Sequence, residues 1–282
     1  MSQIAYVNGA YVPMRYAAIS INDRGFQFGD SIYEVWPVRG GQLRDSDGHF
    51  ARMRRSLNEI RAPAPMDDRA LHLVIKETMR RNKVREGIVY IQVSRGVAPR
   101  DHTFPSKPIK PTLIITAKNL DQAGMRKRGA EGVKVITTPE IRWARRDIKS
   151  VNLLPNILQR QAAKEAGAFE AWFVDEDGFI TEGTSSNAWI VDAQGRLRTR
   201  PLSNDILHGV TRASVMRVAQ ERQMQVIEEP FTLAEAKAAR EAFVTGAGSP
   251  IFPVIAIDNV PVGEGKPGPV TQALRAAYLG AE

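Results

Sequence analysis

Strand-length apolar runs and helical stripes are mixed along this chain without a regular strand–helix–strand rhythm, and that mixture limits the fold more than any other feature. A doubly wound parallel sheet needs the rhythm, so the pattern predicts two α+β lobes. At 282 residues the chain can build both cores. Residues 4–7, Asn8-Gly9 and residues 10–12 predict a two-residue hairpin. Residues 31–38 predict a strand turning at Gly40-Gly41, and Trp36-Pro37 within it suggests an edge or bulged strand. Phe50, Met53, Leu57 and Ile60 form a 3.6-period stripe on a helix beginning near Asp47. Asp67 or Asp68 caps a second helix that runs to Asn82. Residues 88–93 and 113–115 read as buried strands. The loop between them, 96–110, contains Pro99, Pro105 and Pro108 and has a length that is often functional.

The polar, glycine-containing stretch that follows predicts a linker over 121–132, dividing a smaller lobe, 1–120, from a larger one, 133–282. In the second lobe, residues 133–137 predict a strand, and Pro155 and Gly167 bracket a helix. Residues 170–199 read as a β-meander with turns at Asp177-Gly178 and Gln194-Gly195. A helix over 211–223, a strand over 241–245 and a terminal helix over 269–278 complete the lobe.

Composition narrows the class. The chain is 43% hydrophobic and 25% charged, as soluble globular proteins are. Its apolar runs, such as 111–115, fall far short of the roughly 20 residues a membrane helix needs. The N-terminus lacks the basic-then-apolar layout of a signal peptide. Cysteine is absent, which excludes disulfides, thiolate nucleophiles and thiolate metal sites. A cytoplasmic enzyme without a metal is expected. The net charge of +8 comes from scattered basic residues with no nucleic-acid-binding motif. It reads as a solvated basic surface that draws anionic substrates rather than nucleic acid.

Two runs carry chemistry: Asp147-Ile148-Lys149-Ser150-Val151-Asn152 and Thr181-Glu182-Gly183-Thr184-Ser185-Ser186-Asn187. A lysine able to form a Schiff base and a carboxylate able to hold a pyridinium nitrogen are what pyridoxal phosphate chemistry asks of a protein. Each has a plainer reading, as a surface lysine and a solvent-facing strand glutamate. Ser185, Ser186 and Asn187 serve equally as turn residues. The run Ile206-Leu207-His208-Gly209-Val210-Thr211-Arg212 opens a helix, whose first N–H groups suit a phosphate as well as an ordinary cap. Arg52 lies off the apolar stripe and alone reads as a solvated helical arginine. Arg100 and His102, on the proline-bounded loop, form a reasonable carboxylate clamp or an exposed polar loop.

Taken together, these runs resemble the fold-type IV pyridoxal phosphate enzymes over nearly the whole chain. The Arg-Gly-x-x-Pro-Arg-x-His-x-Phe-Pro loop resembles the D-amino-acid aminotransferases in particular. The resemblance implies a two-lobed α+β fold with the cofactor in the interdomain cleft. It makes Lys149, in the larger lobe, the Schiff-base lysine and proton carrier. Glu182 becomes the partner of the ring nitrogen. Arg52, Val210 and Thr211 become phosphate ligands, with Leu207 against the ring. Ala247, in Gly246-Ala247-Gly248, replaces a Ser/Thr-rich turn and offers the phosphate only a backbone N–H. Tyr33, otherwise a core aromatic, would complete a carboxylate trap with Arg100 and His102, which reach the partner's site in a homodimer. The implied reaction is ping-pong exchange between D-alanine or similar D-amino acids and 2-oxoglutarate. An L-branched-chain aminotransferase and an (R)-amine transaminase are the alternatives within the fold.

Overall fold

Asn8 and Gly9 take φ of 48° and 106°, the left-handed pair that a tight hairpin turn demands, and join β1 (Ile4–Val7) to β2 (Ala10–Pro13). This hairpin opens the first of two units in the computed structural model, which describes residues 3–280. The first unit comprises residues 3–120 together with Ile148–Asn152. After the short helix α1 (Arg24–Phe28) come β3 (Ser31–Arg39) and β4 (Gln42–Leu43). Helices α2 (Ser46–Glu59) and α3 (Asp68–Arg81) follow, then β5 (Gly87–Ser94) and β6 (Thr112–Asn119). The strands form an antiparallel sheet in the order β2-β1-β6-β5-β3-β4.

One face of that sheet is apolar because alternate residues point to it. Ile32, Trp36 and Val38 of β3 and Val89, Ile91 and Val93 of β5 are all buried. Phe50, Met53 and Leu57 of α2 and Leu71, Ile75 and Met79 of α3 pack on them at helical spacing. Asp67 caps α3 by accepting from Ala70 N at 2.9 Å.

β4 pairs only with Val38 and Arg39, so most of β3 is an edge, and Pro37 sits where a missing N–H is tolerated. Residues 148–152 cover that edge. Tyr33 N donates to Lys149 O (2.9 Å) and Val151 N to Ser31 O (3.1 Å), and Ile148 enters the core of this unit. Lys149 therefore belongs to the first unit and not to the larger C-terminal lobe that the sequence suggested. The physical reason is this edge pairing, which is long-range and invisible in local pattern.

The second unit comprises Asp121–Asp147 and residues 153–280. The expected linker over 121–132 is a helix, α4 (Gln122–Glu131). Asp121 caps it through Gly124 N, and Gly132 ends it at φ 80°. Only Gly129 of α4 is buried, so the helix has no apolar stripe by which to be recognised. Next come β7 (Val133–Pro139), α5 (Leu154–Glu165), β8 (Glu170–Val174), β9 (Ile180–Gly183), β10 (Asn187–Val191) and β11 (Leu197–Thr199). The chain continues through α6 (Val210–Glu221), β12 (Val226–Glu228), α7 (Leu233–Ala238), β13 (Glu241–Gly246), β14 (Ser249–Ile257), β15 (Val260–Pro261) and α8 (Pro269–Leu279).

The strand order is β12-β11-β10-β13-β14-β7-β8-β9, with β15 on β14. The expected meander over 170–199 is thus two separate hairpins. β13, β14 and β7 stand between them in the ladder. β14 is buried along almost its whole length and pairs parallel to β7. Such a strand has no polar alternation to announce it. Among the described residues no helix is long and apolar enough to cross a membrane.

Candidate active site

In the first unit, β3 aims alternate residues to opposite faces. Tyr33 points away from the core and Glu34 into it. Lys149, held on the β3 edge, places its Nζ 4.0 Å from the centre of the Tyr33 ring, and its backbone N–H donates to Ser56 Oγ at 3.2 Å. Its amine pairs with no carboxylate among the described residues. That arrangement suits an amine meant to react. Tyr33 in turn stacks on Tyr90, ring centres 5.7 Å apart. Burial, with Tyr33 nearby, pushes the Tyr90 hydroxyl up to about 12, so it stays protonated.

Arg52 is not solvated. It is 8% exposed and donates from Nε (2.9 Å) and Nη2 (2.5 Å) to the two oxygens of Glu34, a bidentate pair. His49 Nδ1 lies 3.0 Å from Glu34 Oε1. Burial lowers the His49 pKa and keeps the ring neutral, donating to Glu34. Burial alone would raise the Glu34 carboxyl, but Arg52 and His49 outweigh it and hold the group well below the usual range. Sequence reasoning missed Glu34. A carboxylate on the apolar face of a strand, 15 and 18 positions before a histidine and an arginine on a helix, was the available signal.

Arg100 and His102 are exposed on the loop between β5 and β6. Both approach Phe28, the guanidinium at 4.9 Å from the ring centre and the imidazole edge-on at 5.5 Å. No contact joins either of them to Tyr33 among the described residues.

In the second unit Glu182, on β9, is almost fully buried. Its carboxylate accepts from Arg142 Nη1 (2.6 Å), Asn187 Nδ2 (3.0 Å) and Leu207 N (3.1 Å). Burial raises its pKa above the ordinary value while Arg142 pulls the other way. A carboxylate with raised proton affinity is a fitting partner for a basic ring nitrogen. Arg142, which sequence reasoning also missed, bridges Glu182 to Glu140 (2.6 Å to each). The arginine-rich stretch from 142 to 146, just ahead of the lysine motif, was the clue.

Leu207 leads into α6. Gly209 precedes Val210 without any side-chain cap, and both Val210 and Thr211 are buried at the first turn. A Cβ at Gly209 would collide with Asn187 Oδ1, so the glycine is required by close approach. Ala247 lies in the turn between β13 and β14, past the Asn187–Thr245 pair. A Cβ at Gly246 would come within 3.0 Å of Ser185 O. Both glycines thus pack closely on residues 185–187, and the uncapped N–H groups in the first turn of α6 suit a phosphate.

The residues thus gather into two sets: Tyr33, Lys149 and Arg52 in the first unit; Glu182, Leu207, Val210, Thr211 and Ala247 in the second. Comparisons with known proteins identify the family. The family model for amino-transferase class IV matches residues 31–257. A D-alanine aminotransferase of Staphylococcus haemolyticus is 36% identical over 274 residues, covering 97% of this chain and 95% of the relative. One from Bacillus licheniformis is 38% identical over 270 residues, covering 96% and 94%. Among solved structures, a T.th. branched-chain amino acid aminotransferase with pyridoxamine 5′-phosphate superposes with a TM-score of 0.89 at 26% identity, covering 100% of this chain and 96% of that one. The chain belongs to the class IV aminotransferases, fold-type IV enzymes that use pyridoxal 5′-phosphate.

Proposed function

We propose that this aminotransferase acts on D-amino acids, moving the amino group of D-alanine or a similar substrate to 2-oxoglutarate in two half-reactions. The observation that carries the reading is the pairing of Arg100 and His102 on one shared ring, Phe28. A guanidinium and an imidazole so placed can take both oxygens of a carboxylate. The D-alanine aminotransferases at 36% and 38% identity support it.

When bound, pyridoxal phosphate supplies an aldehyde for amine exchange and an electron-withdrawing ring. Lys149 would hold the aldehyde and, once displaced by substrate, move the proton at the substrate Cα. Glu182, oriented by Arg142, would hold a proton at the ring nitrogen. Val210, Thr211 and Ala247 would offer backbone N–H groups to the phosphate, and Arg52, fixed by Glu34, its charge. Leu207 would pack on the ring. Tyr33 would complete the carboxylate site. With no contact to Arg100 or His102 within the described residues, it would meet the pair supplied by a second copy. Exposed apolar residues support a homodimer: Leu154, Ile157 and Leu158 lie one helical turn apart on α5, at 66%, 60% and 56% exposure.

Specificity follows from geometry. With the carboxylate and the nitrogen both fixed, only one enantiomer turns its Cα hydrogen toward Lys149. The test is spectral and chiral. D-alanine should bleach the absorbance of the bound cofactor and L-leucine should not. Bleaching by L-leucine alone would replace this reading with the branched-chain one, which likeness to the T.th. structure favours. Borohydride reduction should label the peptide bearing Lys149, and label on any other lysine would refute that assignment.

A further inference from the structure

Residues 95–111 carry Arg100 and His102 yet contain no helix or extended strand, so their placement must be imposed by neighbours. The near end is held by backbone: Arg24 N donates to Gly96 O (2.9 Å) and Ala98 N to Asn22 O (3.2 Å). At the tip, one buried side chain binds the loop backbone on both sides of His102. Arg24, 3% exposed, directs Nη1 to the carbonyl oxygens of Asp101 (2.7 Å) and Thr103 (3.1 Å), the residues on either side of His102. Its Nε donates to Asp30 Oδ2 at 2.8 Å. Asp30 also accepts from Arg95 at 2.7 and 2.9 Å.

Burial would raise the Asp30 carboxyl, but Arg95 and Arg24 together lower it, so the anchor is ionised at neutral pH. The Arg24 guanidinium also lies 4.9 Å from the Phe28 ring centre, the ring that Arg100 and His102 approach. A buried arginine that satisfies two loop carbonyls and one fixed carboxylate has a planar, rigid geometry a point charge would lack.

We propose that Arg24 is a positioning residue for substrate choice: by gripping the peptides that flank His102, it presents Arg100 and His102 as a preformed carboxylate site. The inference rests on the reading of Arg100 and His102 given above. Without Arg24 the loop would adopt the binding arrangement in a fraction of molecules, and apparent affinity would fall by that fraction. Lys149 and its surroundings would be untouched, so the chemical step would proceed as before.

The experiment compares holoenzyme variants in steady-state kinetics with D-alanine. Arg24→Met keeps the aliphatic stem and should raise KM about 10- to 100-fold with kcat changed less than about threefold. The triple variant Arg24→Met/Arg100→Ala/His102→Ala should show the KM of Arg100→Ala/His102→Ala, because Arg24 acts only through those two side chains. Multiplying effects would overturn the proposal, as would an unchanged KM or a loss confined to kcat. Amide hydrogen exchange should quicken in residues 97–104 and not in the sheet; a global increase would mark a merely structural role and count against the proposal. Should Arg24→Met fail to fold, Arg24→Lys takes its place. It keeps the buried charge beside Asp30, and a KM at least about threefold higher is expected; an unchanged value overturns the inference. Arg100→Ala alone tests the underlying reading. If it leaves KM unaltered, the carboxylate assignment fails. If it raises KM and Arg24→Met does not, only the positioning role fails.

Discussion

Glu34 shows how much a single buried charge organises here. It is fully buried, yet its oxygens are occupied by Arg52, His49 and the Val35 N–H. Removing one partner of such a pair strands the other, at a cost of about 3–5 kcal/mol. Glu34→Gln is therefore expected to lower stability by about that much at neutral pH, measured by urea unfolding. The pH dependence has a definite sign. The folded pKa is depressed below the ordinary value of 4.5, so the contribution is present above that value and is lost as pH falls toward the folded one. The wild type should lose stability steeply below pH about 5, and the Gln variant should lose less over the same range. Equal slopes would contradict the assignment. Glu182 runs the other way. Its raised pKa means the folded state binds that proton more tightly, so its contribution is present below the ordinary value of 4.5 and is lost as pH rises from there through the raised one. The sequence made Lys149 and Glu182 legible as candidates because small polar residues in fixed order surround them. It hid Glu34, Arg142 and Arg24, whose bonds to His49, Glu182 and Thr103 span 15, 40 and 79 positions of the chain.

At the level of elements, the legible parts were those with strong periodicity or explicit punctuation. The Asn8-Gly9 hairpin, the α2 stripe and the Asp67 cap fall where residue chemistry puts them. α4 and β14 were lost because one lacks an apolar face and the other lacks a polar one. The junction of β10 with α6 shows a constraint that only packing reveals. Gly209 takes an ordinary φ of −63°, so conformational freedom does not explain it. Space does, since Asn187 occupies the position of its missing Cβ. Gly209→Ala should push Asn187 off Glu182 and Leu207, weakening cofactor retention by about 10-fold or more, since hydrogen bonds to charged groups are worth about 1.5–3 kcal/mol. Equilibrium dialysis with pyridoxal phosphate would measure it, and wild-type retention would show that Asn187 is free to shift without loss.

For the whole molecule, cofactor binding contributes to the working stability. A ligand bound only by the folded state at about 100 times its Kd adds about 2.7 kcal/mol. Stripping the cofactor should thus lower Tm by about 5–10 °C, recoverable in proportion to added pyridoxal phosphate; a Tm indifferent to cofactor would argue against binding in the native fold. Ile157→Asp with Leu158→Asp, both on the exposed face of α5, should convert the proposed dimer into 31.2 kDa monomers in light scattering. Dimers that persisted would move the interface elsewhere. The two-unit division was foreseeable from mixed strand and helix signals, but the assignment of the lysine segment was not, because an edge pairing leaves no trace in periodicity.

That edge pairing has a consequence for biosynthesis. A ribosome delivers β3 more than a hundred residues before Ile148–Asn152 arrives to cover it. Through that interval the bare strand is a template for any extended chain nearby. A protein truncated after residue 120 would keep this exposure permanently, and such fragments should be recovered from cells as insoluble material even though most of their core is encoded.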